Sequence, residues 1–107
     1  MIEQAKLDEL TLKHGRIRVV DGDGWCAVLS VPNVAAMKRY KHELHDATMR
    51  ADAQENLFRK MAVECWTEWD GSCDVAKLLE RVPLAPEGCS DSVSALTGLK
   101  AQERSKA

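Results

Sequence analysis

The residues with the clearest chemical character in this sequence are two consecutive Asp-Gly pairs, Asp21 to Gly24, which separate two apolar runs. Acidic turns rich in glycine bind calcium or phosphate in many proteins. A calcium loop, however, needs about a dozen residues with oxygen ligands at alternating positions, and here Trp25 and Cys26 follow at once. The G-x4-G-K-[ST] sequence of a phosphate loop is also missing. We therefore interpret this stretch as the turn of a β-hairpin.

His42 and His45 are the next residues whose spacing suits chemistry, because side chains three apart meet on one helix face, as some metal ligands do. No H-E-x-x-H sequence is present, and the obvious third ligands are Glu43 and Asp46. Solvated histidines on a charged helix are the commoner arrangement. The sequence therefore predicts neither a metal site nor a cofactor.

The four cysteines show no C-x2-C spacing, which argues against a zinc module. Cys26 and Cys65 fall in apolar segments and are predicted to be buried small hydrophobic residues. Cys73 and Cys89 fall in loop-like sequence, which predicts exposure. The charged start of the chain does not resemble a signal peptide, so reduced thiols and a cytoplasmic location are expected.

No arrangement of residues suggests a catalytic nucleophile with its base. Ser90, Ser92 and Ser94 lie outside any G-x-S-x-G elbow. Single acids such as Asp8, Glu64 and Asp70 form no pairing that the sequence establishes. We predict that the chain is not an enzyme.

A basic cluster, Lys38 to Lys41, encloses the aromatic residue Tyr40 and suggests either nucleic-acid binding or contact with a protein. Glu43 and Asp46 follow within two turns, and the whole chain has a formal net charge of −2. These charges argue against nucleic acid. Large aromatic residues provide a second clue: Trp66 and Trp69 either pack over the edge of the core or anchor a partner.

The elements that would position these residues begin with a short helix over Ile2 to His14, ended by Gly15. Alternation predicts strands over Arg16 to Asp21 and Trp25 to Val31, joined as a hairpin. Asn33 is the expected N-cap of an amphipathic helix over Ala35 to His45. Met37, Tyr40, Leu44 and the stem of Lys41 are predicted to share its buried face.

The strongest helical pattern covers Ala53 to Trp66, with Leu57, Phe58 and Met61 as core residues. Asp74 is then expected to cap a helix that reaches Val82. A loop follows from Pro83, and Ser90 or Ser92 starts a last helix with Val93, Leu96 and Leu99.

These elements predict an α+β fold, in which an N-terminal β-hairpin packs with a small bundle of three to five helices. Residues 1–100 are expected to form one globular domain, and residues 101–107, which lack an apolar stripe, a frayed tail. No apolar run approaches the roughly 20 residues that span a membrane.

In this layout the chain resembles small phage and prophage proteins of the tail-assembly-chaperone type. In that family a strand ends in a proline step into a helix carrying a Lys-Arg-aromatic element, matched here by Pro32, Asn33, Lys38, Arg39 and Tyr40. A later leucine-rich step is matched by Leu78, Leu79, Glu80, Arg81, Pro83 and Leu84. The resemblance extends from about Leu7 to Leu99.

The resemblance implies a non-enzymatic assembly factor that binds the tape-measure protein and tail-tube subunits in the host cytoplasm. It transfers no catalytic residue. Reversible contacts with an apolar helical partner suit exposed methionine and aromatic side chains. The partner-binding residues proposed from sequence are Met37, Lys38, Arg39, Tyr40, Trp66 and Trp69.

Two other functions stay open at this point, as does assembly into a homo-oligomer. The first is a structural component of the phage particle, in its neck, tail or baseplate. The second is a small regulator that binds nucleic acid through a basic set of residues, Lys38, Arg39, Lys41, Arg59 and Lys60.

Overall fold

The computed structural model describes residues 2–43, 50–68 and 70–98. Within these ranges the chain forms a three-stranded sheet and six helices, which confirms the predicted α+β class. The predictions for Leu44, His45, Trp69, Leu99 and the tail at residues 101–107 lie outside the described residues.

The sheet is antiparallel and contains β1 (Ile17–Asp21), β2 (Trp25–Ser30) and β3 (Ala62–Thr67), in that spatial order. The predicted hairpin is confirmed, with Ile17 opposite Ser30 and Asp21 opposite Cys26. The third strand was not predicted. It makes β2 the central strand, and all six residues of β2 are buried.

The hairpin closes at Gly22, whose backbone N–H donates a 2.9 Å hydrogen bond to the carbonyl oxygen of Trp25. Gly24 has a φ of +78°, a conformation that residues with a side chain rarely adopt. Gly22 has a different role, because the indole ring of Trp25 lies directly against its Cα. The Asp-Gly repeat is therefore a turn that also makes room for a buried tryptophan.

The predicted helix over Ala53 to Trp66 was wrong over its last five residues, from Ala62 to Trp66. The helix α3 covers Arg50–Met61, and the chain passes directly into β3 at Ala62. Residues from Val63 onward include β-branched and aromatic side chains that suit a strand, and they pair with β2, with Cys65 opposite Ala27. Pairing with a distant strand overrides the local helical pattern here.

The remaining helices are α1 (Gln4–His14), α2 (Val34–Glu43), α4 (Val75–Arg81), α5 (Ala85–Gly88) and α6 (Ser90–Thr97). Two predicted caps are confirmed. The side chain of Asn33 accepts a 2.7 Å hydrogen bond from the N–H of Ala36, and that of Asp74 accepts one from Lys77. The segment predicted as a loop after Pro83 contains α5, a single helical turn.

The sheet separates two apolar clusters. The main core lies on the face of Trp25, Ala27 and Leu29 and receives side chains from α2 to α6. The second cluster lies on the opposite face, around Cys26 and Val28, and is covered by Ile2 and by residues of α1. Most described helices therefore pack on one side of the sheet, and α1 packs on the other.

Candidate partner-binding surface

The six residues proposed from sequence are not brought together as one surface. Tyr40 is 8% exposed and belongs to the main core, and Met37 is half-buried against that core. Their side chains are therefore packing residues rather than open contacts. Lys38 and Arg39 are exposed on α2. Trp69 lies outside the described residues.

Trp66 is half-buried at the edge of the second cluster, where it packs with Cys26 and Val28. The loop after β3 covers its ring, since a Cβ on Gly71 would lie 3.7 Å from Cε2 of the indole. Its Nε1 is buried and finds no hydrogen-bond partner among the described residues. The position fits an edge-of-core residue better than a projecting anchor.

The side of α2 that faces solvent is continuous, and we call it the α2 outer face. It consists of Val34, Ala35, Lys38, Arg39, Lys41 and His42, all of which are exposed. The opposite side packs against α3 and centres on Tyr40. Sequence periodicity placed the stem of Lys41 beside the buried side; in the structure Lys41 as a whole is exposed, and Tyr40 is the buried residue of α2.

The α2 outer face is basic and begins with apolar side chains. Lys38, Arg39 and Lys41 form no ion pair with any residue that the structure describes, unlike Arg59, which pairs with Glu55 at 3.2 Å. Val34 is 70% exposed, and Val31, just before the helix, is 49% exposed. A surface with this pattern suits an amphipathic partner carrying apolar and acidic residues.

Val31 and Val34 were not among the contact residues predicted from the sequence. Pro32, between them, is buried, and β2 ends as the chain turns outward into α2. A valine in the first turn of a helix does not by itself indicate a contact surface, because residues later in the helix determine which of its faces is buried. The packing of α2 against α3 sets the rotation of the helix about its axis, and this rotation leaves Val34 facing solvent.

The basic residues of α3 do not extend this surface. Arg59 is engaged with Glu55 on its own helix, and a second acid, Asp52, is exposed on that helix. The two α3 residues of the set proposed for nucleic acid therefore share their helix with acidic side chains, Glu55 and Asp52. Such mixed charge does not form the unbroken basic patch that phosphate backbones select.

No three histidine, cysteine or acidic side chains within the described ranges are grouped so that they would hold a metal ion. His42 is exposed on the α2 outer face, and Asp21 lies next to the buried thiol of Cys26. Across residues 2–43, 50–68 and 70–98, no helix is both long and apolar enough to cross a membrane.

No protein-family model, no curated protein and no solved structure matches this chain. The α2 outer face is therefore interpreted from its own geometry and charge.

The cysteines divide by burial. Cys26, Cys65 and Cys89 are buried, whereas Cys73 is exposed and its thiol lies 2.9 Å from the carbonyl oxygen of Val63. The predicted exposure of Cys89 was wrong, because α5 and α6 fold it into the main core. Burial raises the pKa of the Cys26, Cys65 and Cys89 thiols from 9.0 to about 12, and the Asp21 carboxylate adds to the effect at Cys26.

These pKa values predict a loss of stability in alkali. Both states bind the Cys89 proton below pH 9, but between pH 9 and pH 12 the unfolded thiol ionises while the buried one stays protonated. The folded state then binds more protons, so the free energy of unfolding falls as the pH rises. At pH 10 the Cys89 contribution is a loss of about 1.4 kcal/mol relative to pH 8.

Urea denaturation at pH 8 and pH 10, with a reductant present, measures this loss. The variant Cys89→Ala is the control: it is less stable at both pH values, but its decrease between them is smaller than that of the unchanged chain by about 1.4 kcal/mol. The contributions of Cys26 and Cys65, whose pKa values are also raised, are common to both chains and cancel. If the free energy of unfolding decreases equally in the two chains, the Cys89 thiol does not have the raised pKa that its burial implies.

Proposed function

We propose that this chain is a non-enzymatic assembly factor that binds partner proteins, of the type that acts in phage and prophage tail assembly. Its partners would be a long helical tape-measure protein and tail-tube subunits, met in the host cytoplasm. The observation that carries the proposal is the α2 outer face, where exposed Val34 adjoins three cations that pair with no described residue: Lys38, Arg39 and Lys41.

The chemistry of this face favours a helical partner over an extended one. Its apolar and basic residues follow one another along a single helix, so a partner helix laid against α2 would meet both. Burying the exposed Val34 side chain contributes about 1 kcal/mol or more. Acidic residues of the partner would pair with Lys38 and Arg39, which sets orientation and association rate more than affinity.

The residues behind the family resemblance support this proposal in different ways. Asn33 caps α2, and the buried Pro32 fixes where the helix begins, so both orient the α2 outer face. Leu78 and Leu79 are buried in α4 and stabilise the main core. These residues have structural roles, so the proposed contact residues are the exposed ones on and just before α2: Val31, Val34, Lys38, Arg39 and Lys41.

The test begins with the neighbouring genes, where the proposal predicts a very long helical open reading frame, and continues with co-expression of that long protein with this chain. We expect the long protein to become more soluble and to co-purify with this chain by size-exclusion chromatography. The double variant Lys38→Glu/Arg39→Glu should weaken the complex roughly tenfold, because two attractive pairs become repulsive. Isothermal titration with a fragment of the partner measures the change in affinity.

A matched control reverses two neighbouring charges on α3, in the variant Arg59→Glu/Lys60→Glu. We expect it to change affinity less than about threefold, since Arg59 is already paired with Glu55. Three outcomes would contradict the proposal: no complex with the unchanged chain, equal weakening by both double variants, or steeply salt-dependent DNA binding lost in Lys38→Glu/Arg39→Glu. Presence of the chain in purified mature particles would identify a structural component instead.

A further inference from the structure

The hydrogen-bond pattern of the hairpin determines which backbone groups of β1 point toward β2 and which point away from it. Gly22 and Trp25 form a hydrogen-bonded pair, and Glu68 donates from its N–H to the carbonyl oxygen of Gly24 at 3.4 Å. Hydrogen-bonded and non-hydrogen-bonded pairs alternate along an antiparallel ladder. In β1, Arg18 and Val20 therefore point their backbone groups toward β2.

It follows that the N–H and C=O groups of Ile17, Val19 and Asp21 point away from β2, and we call this set the β1 outer edge. No backbone hydrogen bond from the rest of the described chain reaches it. Helix α6 packs against β1 on the side of the main core, and α1 packs on the other side. The faces of the strand are thus occupied in part, while its edge is open to any partner outside the described chain.

The side chains beside this edge differ on the two faces of the sheet. Val19 is 37% exposed and shares its face with Ile17, which is half-buried in the second cluster. Arg18 lies on the opposite face by strand alternation, with Arg16 before it. Both arginines are exposed, and neither forms an ion pair with a described residue.

We propose that the β1 outer edge binds an extended segment of a partner protein in which apolar and acidic residues alternate. The backbone of that segment would add a fourth strand through the groups of Ile17, Val19 and Asp21. Its apolar side chains would lie beside Val19, and its acidic side chains beside Arg16 and Arg18. This site is separate from the α2 outer face and takes an extended partner rather than a helical one.

Charge distinguishes this occupant from two others. An antiparallel pair of β1 strands centred on Val19 would place the Arg18 side chains of two copies diagonally on one face, where like charges repel. The chain's own sequence after Gly98 carries Lys100, Arg104 and Lys106 against one acid, Glu103. Both alternatives bring positive charge next to Arg16 or Arg18, whereas the acidic side chains of an extended segment neutralise these two arginines.

The probe for the test is a capped heptapeptide that alternates glutamate and valine, titrated into the full chain and followed by NMR. We expect the backbone amides of Ile17, Val19 and Asp21 to gain protection from hydrogen exchange. The variant Val19→Pro removes an outward N–H without removing a bond to β2, a position where edge strands tolerate proline. It should lose peptide binding at least tenfold, whereas the control Val19→Thr, which keeps the donor, should retain it.

A second variant keeps the proposal testable if Val19→Pro does not fold. Arg16→Glu/Arg18→Glu should weaken binding of the glutamate peptide at least tenfold and create binding of a lysine-valine peptide. The variant Lys38→Glu/Arg39→Glu should bind the glutamate peptide as the unchanged chain does, so failure here is distinct from failure of the proposed function.

Three results would overturn the inference. The first is equal binding of the glutamate and lysine peptides. The second is binding without protection of the outward amides. The third is a concentration-dependent dimer, measured by sedimentation, that Val19→Pro abolishes, because the edge would then belong to a second copy of the chain.

Discussion

Replacing Gly22 with alanine is expected to lower the free energy of unfolding by about 3 kcal/mol, the upper part of the range for overpacked sites. A Cβ at this position would lie 2.6 Å from Cζ2 of Trp25 and closer still to Nε1 and Cε2. The ring has little room to move, because it is 6% exposed and lies in the main core beside Gly88 of α5. Urea denaturation measures the change.

Gly24 provides the matched control, since a Cβ there meets nothing within 4 Å. Gly24→Ala should cost only about 1 kcal/mol, from the φ of +78°. A double-mutant cycle identifies the cause: in a Trp25→Leu background, Gly22→Ala should cost less than about 1 kcal/mol. If the cost of Gly22→Ala is the same in both backgrounds, the clash with the indole is not its origin.

Replacing Phe58 with alanine is expected to cost about 3–5 kcal/mol. Phe58 is 1% exposed, and it is the largest of the fully buried side chains among the described residues. It packs between α3 and the sheet in the main core, where its loss would leave a cavity. The free energy of unfolding of a domain of this size is about 5–15 kcal/mol, so the substitution would remove a large part of it.

The neighbouring residue supplies the control. Arg59→Ala removes an exposed pair with Glu55, and its cost should stay within about 0.5 kcal/mol. Thermal unfolding followed by circular dichroism measures both variants. If Phe58→Ala proves as mild as Arg59→Ala, the packing of α3 on the sheet would have to be different from that described.

The parts of the fold that could be predicted from sequence are those fixed by local interactions. The Asp-Gly turn determines the hairpin and its register, because turn geometry and alternation agree there. Asn33 and Asp74 mark helix starts, since their side chains bond to backbone N–H groups three residues later. Each of these signals lies within a few residues of the feature it specifies.

The third strand could not be predicted in this way, because its stability comes from pairing with β2, which lies far earlier in the chain. Met61, Ala62 and Cys65 continue a helical spacing, and Cys65, which was predicted to be buried in a helix, is buried in the strand. Burial alone therefore did not distinguish helix from strand. The burial of Cys89 was missed for a related reason, since it depends on how α5 and α6 fold over the core.

The candidate site was predicted only in part. The exposed charges Lys38 and Arg39 follow from composition, and the structure places them as expected on the outside of α2. Tyr40 beside them was proposed as a contact residue and was also predicted on the buried face of the helix, and it is a core side chain. The rotation of α2 about its axis decides which of these residues face a partner, and contacts with α3 set that rotation.

The direct junction between Met61 and Ala62 has a mechanical consequence. No linker separates α3 from β3, so no flexible residue absorbs a displacement of the helix before it reaches the sheet. Both elements also pack into the main core through Phe58, Met61 and Cys65. A force applied to α3 would therefore be transmitted directly to β3, and the helix and the strand would unfold together.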